Sequence, residues 1–211
     1  MIPVRILAMR TLANASPALC AALGAPGGFP SLGMLTTDCD DATYIALDAA
    51  TKAAQVEVSY GRSFYGGSAN ASTPNAGEVI GILAGQTPGA VKSGMDAAVS
   101  ALSRLGFEEV AGVPFLAHTV SSVGSFLAKE AGIRPGEALA YLIAPPLEAM
   151  YAMDAAMKAA DVKLCKLYAP PTETNFGGGL LSGTQSACDA ACAAFAAAVA
   201  EVAKNPKNNK L

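Results

Sequence analysis

The sequence predicts an α+β fold made of two units of one design in tandem, and three observations carry that prediction. The stretch DCDDATYIALDAATKAAQVEV, Asp38 to Val58, is nearly restated as PPLEAMYAMDAAMKAADVKL, Pro145 to Leu164. Each half alternates short apolar or branched strands with two main helices, the pattern of a small sheet covered on one face. Charge is scarce, at 15% Asp, Glu, Lys and Arg against about 25% in an average soluble domain. Aligning Asp48-Ala-Ala-Thr-Lys-Ala-Ala54 on Asp154-Ala-Ala-Met-Lys-Ala-Ala160 gives a spacing of 106 in a chain of 211 residues. The expected units are therefore residues 1–106 and 107–204, each large enough for its own core, with 205–211 expected to be a disordered tail.

The correspondence runs outward from that phrase. SLGMLTTD (Ser31 to Asp38) lies over ALAYLIAP (Ala138 to Pro145), and the helix-ending Gly24 lies over Gly132. Downstream, the stretch from Gly81 lies over the stretch from Gly179 at an offset of 98, so the second half has lost about eight residues from one loop.

In order, Val4 to Leu12 reads as a strand by its branched and apolar content. Ser16-Pro17 supplies the N-cap and first-turn chemistry of a helix ending near Gly24. Leu32 to Thr37 is a second strand, and Asp38, Asp40 and Asp41 place negative charge where the next helix begins, running to about Ala54. Val56, Val58 and Tyr60 alternate with polar neighbours as a half-buried strand does, and Glu78 to Ala84 supplies another. Between these strands lies a long loop, Phe64 to Gly77. Val91, Met95, Ala98, Leu102 and Leu105 step by four and three along a helix starting near Pro88. The second half repeats the order: strand Phe115 to Ser121, helix to Ala131, strand Ala138 to Ala144, helix to Ala160, strand Val162 to Tyr168, loop, strand Leu180 to Ser182. A final helix carries the stripe Cys188, Cys192, Phe195, Val199 and Val202.

Composition excludes several classes of function. A net charge of −3 without a basic cluster argues against nucleic acid. The longest purely apolar run, Ala190 to Ala200, is shorter than the roughly 18 residues a membrane span needs, and no basic segment followed by a long apolar run marks a signal peptide. Low charge points instead to surface buried against other copies. The five cysteines are odd in number and irregularly spaced, as reduced thiols are. Cys188 and Cys192 sit at i and i+4, but no second Cys or His pair completes a metal set, so no metal or cofactor is expected. Catalysis finds little support: His118 stands alone in FLAHTVSS without a neighbouring nucleophile. No nucleophile elbow, phosphate loop or dinucleotide fingerprint occurs, since GGGLLSG at Gly177 follows a loop and enters a strand. The acidic trio Asp38, Asp40 and Asp41 has two readings, helix capping and ligand binding. It lacks the glycine and terminal Glu of a twelve-residue calcium loop.

The phrase DAAxKAAxV after a strand, at Asp48 and again at Asp154, resembles the bacterial microcompartment shell domain. The ordered set SLGMLTTDCDDATYIALDAATKAAQVEV, YGRSFYGGSANAS, AGEVIGILAG, AYLIAPPLEAMYAMDAAMKAADV and PPTETNF is similar over nearly the whole chain to the tandem-domain shell proteins of ethanolamine-utilisation compartments. It departs from that pattern between Phe107 and Phe115 and in its Ala enrichment.

The resemblance implies two circularly permuted, ferredoxin-like shell domains and a flat, pseudohexameric homotrimer. That trimer would tile with other shell proteins in the shell of a cytoplasmic microcompartment. It implies a central pore gated by loops and three smaller acidic pores that accept ethanolamine. In that reading Asp40 and Glu78 pair with the ammonium, Thr174 meets the hydroxyl, and Asp41 and Phe107 complete the site. The gate falls on Phe64, Tyr65, Gly66 and Gly67 in one loop and on Asn175, Phe176 and Gly177 in the other, where small residues permit excursions and aromatics can plug an opening. The same loops also read as ordinary surface loops. Lys52 and Lys158 each follow an Asp by four residues and read as exposed helix pairs; the resemblance implies that they lie at the outer edges where tiles meet. The alternative function is a soluble trimer that binds or senses a small amine without building a shell.

Overall fold

The computed structural model describes residues 1–64, 78–170, 172, 174 and 176–207. Its elements are β1 (Ile2–Pro3), β2 (Ile6–Leu12), α1 (Pro17–Ala22), β3 (Ser31–Thr37), α2 (Asp40–Ala53), β4 (Val56–Phe64), β5 (Glu78–Gly85) and α3 (Pro88–Leu102). There follow β6 (Gly106–Val110), β7 (Val113–Val120), α4 (Ser125–Ala131), β8 (Ala138–Ala144), α5 (Pro146–Ala159), β9 (Val162–Tyr168), β10 (Gly177–Gly183) and α6 (Gln185–Lys204). They form two compact units, Pro3–Gly106 with Gly124–Leu127, and Met1–Ile2 with Phe107–Val123 and Ala128–Leu211. The start of α4 thus belongs to the first unit, although the chain on either side of it belongs to the second.

In the first unit an antiparallel sheet has the order β2-β3-β5-β4, and α2 and α3 pack against each other and against it. Two glycines allow the close approach. A Cβ at Gly33 would meet Val91 Cγ1 at 2.7 Å, and one at Gly81 would meet Leu47 Cδ1 at 2.7 Å. The stripe Val91, Met95, Ala98, Leu102 and Leu105 is buried throughout, each large side chain contributing about 1.5–3 kcal/mol. Helix ends follow local chemistry: Ser16 Oγ accepts the Leu19 amide at 3.3 Å and Thr87 Oγ1 accepts that of Ala90 at 3.1 Å.

The second unit has a six-stranded sheet of order β1-β6-β7-β8-β10-β9. β8, at its centre, is buried at every position. α5 and α6 cover the sheet through a core that includes Phe115, Leu142, Met153, Leu181, Cys188 and Phe195. By length and composition alone α6 meets the requirements of a membrane span. Its stripe of Cys188, Cys192, Phe195 and Val199 is nevertheless packed into this core, with Val202 only partly buried.

Four differences from expectation have local causes. β6 was not anticipated: it pairs with β7 through a two-residue turn at Ala111 (φ 50°) and Gly112 (φ 80°), the left-handed pair that a tight hairpin needs. β4 continues past Tyr60, because a bulge between Val58 and Tyr60 interrupts the alternation that marked it. Phe64, expected in the first loop, is the last residue of β4 and pairs with Glu78. Gly177, expected in the second loop, opens β10 and pairs with Ala144. In the tail, the Asn205 amide bonds the Glu201 and Val202 carbonyls at 3.0 and 3.1 Å; residues 208–211 lie outside the described residues.

Candidate functional site

The acidic turn is built where β3 hands the chain to α2. Cys39 occupies the N-cap position but supplies no side-chain cap bond. Threonine hydroxyls shape the turn instead: Thr43 Oγ1 donates to the Cys39 carbonyl at 2.8 Å, while Thr37 Oγ1 lies 2.6 Å from it and accepts the Cys39 amide at 3.2 Å. Three carboxylates are thereby held in a buried segment, Asp38 at 3%, Asp40 at 4% and Asp41 at 6% exposure.

Asp38 is engaged by Arg5, whose amide and Nε donate to its two oxygens at 2.7 and 2.8 Å. Asp40 and Asp41 open α2, where negative charge meets the helix dipole favourably. Burial, and next the charge of Asp41, push the Asp40 carboxyl well above the usual range, against the opposing pull of the Asp41 amide and the Ser63 hydroxyl. Burial also raises Tyr44, to about 12, and raises the Cys39 thiol, with Asp41 adding to the effect. Tyr44 and Ser63 bound the site and were not anticipated. Tyr44 was legible as the residue one helical turn beyond Asp40; Ser63 had no signal, because it arrives on β4.

Glu78 is half-buried at the start of β5. Since Thr37 pairs with Val79, the register places Glu78 at the sheet end where the chain leaves β3 for the acidic turn. Phe107 and Thr174 belong to the second unit. Phe107 is fully buried in β6 and meets Phe176 edge to face at 5.8 Å between centroids. Thr174 is 8% exposed and lies 3.4 Å from the Thr172 hydroxyl, which donates to the Phe176 carbonyl at 2.7 Å. Phe176 is thus tied to a framework by its ring and its carbonyl. Tyr65, Gly66, Gly67 and Asn175 lie outside the described residues. Among the described residues no cluster of His, Cys, Asp and Glu could hold a metal.

The two lysines of the repeated phrase differ. Lys158 and Asp154 form the expected exposed pair, at 2.6 Å with side chains 73% and 59% exposed. Lys52 reaches Asp48 at 3.4 Å, but that carboxylate is completely buried, so the expectation of an exposed pair fails here. Asp48 accepts the Gly124 amide at 2.7 Å and the Leu127 amide at 2.9 Å, and Thr51 Oγ1 accepts that of Ser125 at 3.2 Å. The first turn of α4 covers this part of α2.

The BMC domain family model matches residues 31–117, from β3 into β7. The bacterial microcompartment shell protein EutL of Clostridium perfringens is 56% identical over 95% of this chain and 94% of its own length. A crystal structure of the ethanolamine utilization protein EutL from Leptotrichia buccalis superposes with a TM-score of 0.92 at 57% identity, covering 98% of this chain and 97% of that one. The trimeric shell protein PduB, at 16% identity and a TM-score of 0.81 over 96% and 91% of the two chains, shares the tandem fold. With near-complete coverage at this identity, the chain belongs to the EutL family of bacterial microcompartment shell proteins, structural components of a shell and not enzymes.

Proposed function

We propose that the protein is a homotrimeric tile that assembles with other shell proteins around a cytoplasmic microcompartment, and that its acidic turn binds a small amino alcohol, ethanolamine being the favoured ligand. The observation that carries the ligand is the buried pair Asp40 and Asp41, in which burial and the neighbouring charge both oppose ionisation of Asp40. A bound ammonium offsets that penalty and gains charge-assisted hydrogen bonds. Glu78 adds a third carboxylate from the sheet end where β3 leads into the turn. In this reading the connections from β4 to β5 and from β9 to β10 gate the central pore, and Lys52 and Lys158 meet neighbouring tiles at the outer edges.

Titration calorimetry of the intact trimer with ethanolamine tests the ligand assignment. Each ammonium–carboxylate contact contributes about 1.5–3 kcal/mol, so Asp40→Asn should weaken binding at least about tenfold. Affinity should also rise with pH across the acid range, because Asp40 ionises later than an ordinary carboxyl while the ligand's ammonium keeps its proton. Equal affinity in the wild type and in a variant carrying Asp40→Asn and Glu78→Gln rejects the site.

A further inference from the structure

Ser63 reaches the acidic turn from β4, and the sheet register fixes how it arrives. Thr37, Val79 and Ser63 lie in one row across β3, β5 and β4, and Leu35, Gly81 and Gly61 lie in the next. Cross-strand partners share a face of the sheet. A Cβ at Gly81 would strike Leu47 of α2, so Gly61 and Ser63 both look onto α2, while Arg62 between them points away. Gly61 leaves room for the Tyr44 ring: a Cβ there would lie 3.3 Å from Tyr44 Cε1. Phe126, in the first turn of α4, flanks the same ring at 6.0 Å between centroids. The Tyr44 ring is thus held from two sides, with its hydroxyl at Ser63.

Three polar groups meet there. The Ser63 side chain is hydrogen-bonded both to the Asp40 carboxyl and to the Tyr44 hydroxyl, and the Ser63 amide donates to the same Tyr44 oxygen. A serine hydroxyl has one proton to give, and an ionised carboxylate can only accept. Ser63 therefore donates to Asp40, and Tyr44 donates to Ser63. The donors run in one direction, from Tyr44 through Ser63 to Asp40, and each bond polarises the next. The Asp41 amide holds Asp40 Oδ1 at 3.0 Å, so the carboxylate is gripped from its own helix and from β4.

We infer that Ser63 and Tyr44 are positioning residues of the amine site: Tyr44 fixes the direction of the Ser63 hydroxyl, and Ser63 orients the Asp40 carboxylate for the ligand's ammonium. The inference rests on the ligand reading given above and extends it to two residues outside the acidic trio. The titratable and charged groups around Asp40 are Asp41, Cys39 and Asp38 on its own segment, Tyr44 one turn along α2, Glu78 at the sheet end, and Arg5. Arg5, the cation of this set, is engaged by Asp38. Favouring the charged form of Asp40 is thus left to hydrogen bonds, and Ser63 supplies the one that comes from another element.

Two measurements on the intact protein test this, the first without ligand. The NMR signal of the Asp40 carboxyl carbon, assigned by its loss in Asp40→Asn, is followed against pH. Ser63→Ala should move its midpoint upward by about one pH unit or more, as loss of a bond to a charged group does. Tyr44→Phe should move it the same way by less, and Ser63→Thr, which keeps the hydroxyl, should restore it. The second is titration calorimetry with ethanolamine across the same range. Ser63→Ala should weaken binding about tenfold at acid pH, less as pH rises and Asp40 ionises in the variant too, with Ser63→Thr again restoring it. A midpoint that Ser63→Ala leaves in place, or an affinity that falls equally at every pH without rescue by Thr, overturns the positioning role. A wild type that binds no ethanolamine while the midpoint still moves overturns the amine reading and leaves the hold of Ser63 on Asp40 standing.

Discussion

The helices α2 and α5 carry the same Asp-Ala-Ala-x-Lys-Ala phrase, yet Asp48 lies at 0% exposure with two backbone amides and a lysine around it, whereas Asp154 is a surface partner of Lys158. The difference lies 76 residues away, in the first turn of α4, which lies over one helix and leaves the other open. An i,i+4 carboxylate and lysine therefore mean different things in different surroundings. Exposed, the pair contributes a few tenths of a kcal/mol; buried, the carboxylate organises a neighbouring helix.

That contrast can be broken most directly at the two aspartates. Asp48→Ala leaves the Gly124 and Leu127 amides buried without an acceptor and should destabilise the fold by about 3 kcal/mol or more, while Asp154→Ala should change it by less than about 0.5 kcal/mol. Chemical denaturation of the two variants side by side reads the difference, and equal losses would show that the covering turn contributes nothing. Next in size is Gly124→Ala. Its Cβ would lie 2.7 Å from the Asp48 carbonyl and against Thr51 Oγ1, which should cost about 1–3 kcal/mol, whereas Ser16→Ala at the matching place loses only an N-cap, about 1 kcal/mol.

A smaller change of opposite sign is expected at Asp40. Its folded carboxyl is raised above the unfolded value, so its contribution to stability is full below the unfolded value and is lost as pH rises from there through the raised folded one. Asn cannot ionise. Asp40→Asn should therefore raise the neutral-pH melting midpoint and flatten its decline between acid and neutral pH, even as ligand binding weakens. A midpoint that drops at every pH would place Asp40 among the structural caps. Smallest of all for stability are the lysines: Lys158→Ala should cost a few tenths of a kcal/mol. The pair Lys52→Ala and Lys158→Ala should leave the trimer's mass unchanged and abolish sheets seen by electron microscopy. Normal tiling by the double variant would remove these lysines from the edge.

Much of the fold was legible because its signals are local. The stripes of α3 and α6, the Ser16-Pro17 start of α1 and the branched and apolar run of β2 each declare themselves within about fifteen residues, and the repeated phrase announced two like units. What escaped was set at a distance or by backbone geometry. β6 hides behind an Ala-Gly turn whose first residue adopts φ 50° without the Asn or Asp that usually signals it. β4 hides behind a bulge, and the burial of Asp48 depends on Gly124. At the candidate site the acidic trio was visible as charge at a helix start. The division of labour within it was not, because Arg5, which takes Asp38, comes from a segment 33 residues earlier.

The contact between Asp48 and Gly124 also bears on how the two halves can evolve. Copying the first half over the second would put Ser16 where Gly124 now stands, and its Cβ would fall against Thr51 and the Asp48 carbonyl, where no side chain fits. The duplicated halves are therefore no longer interchangeable. Recombination that evens out tandem repeats would be purged at this position, and the asymmetry between the halves is held in place by a single missing side chain.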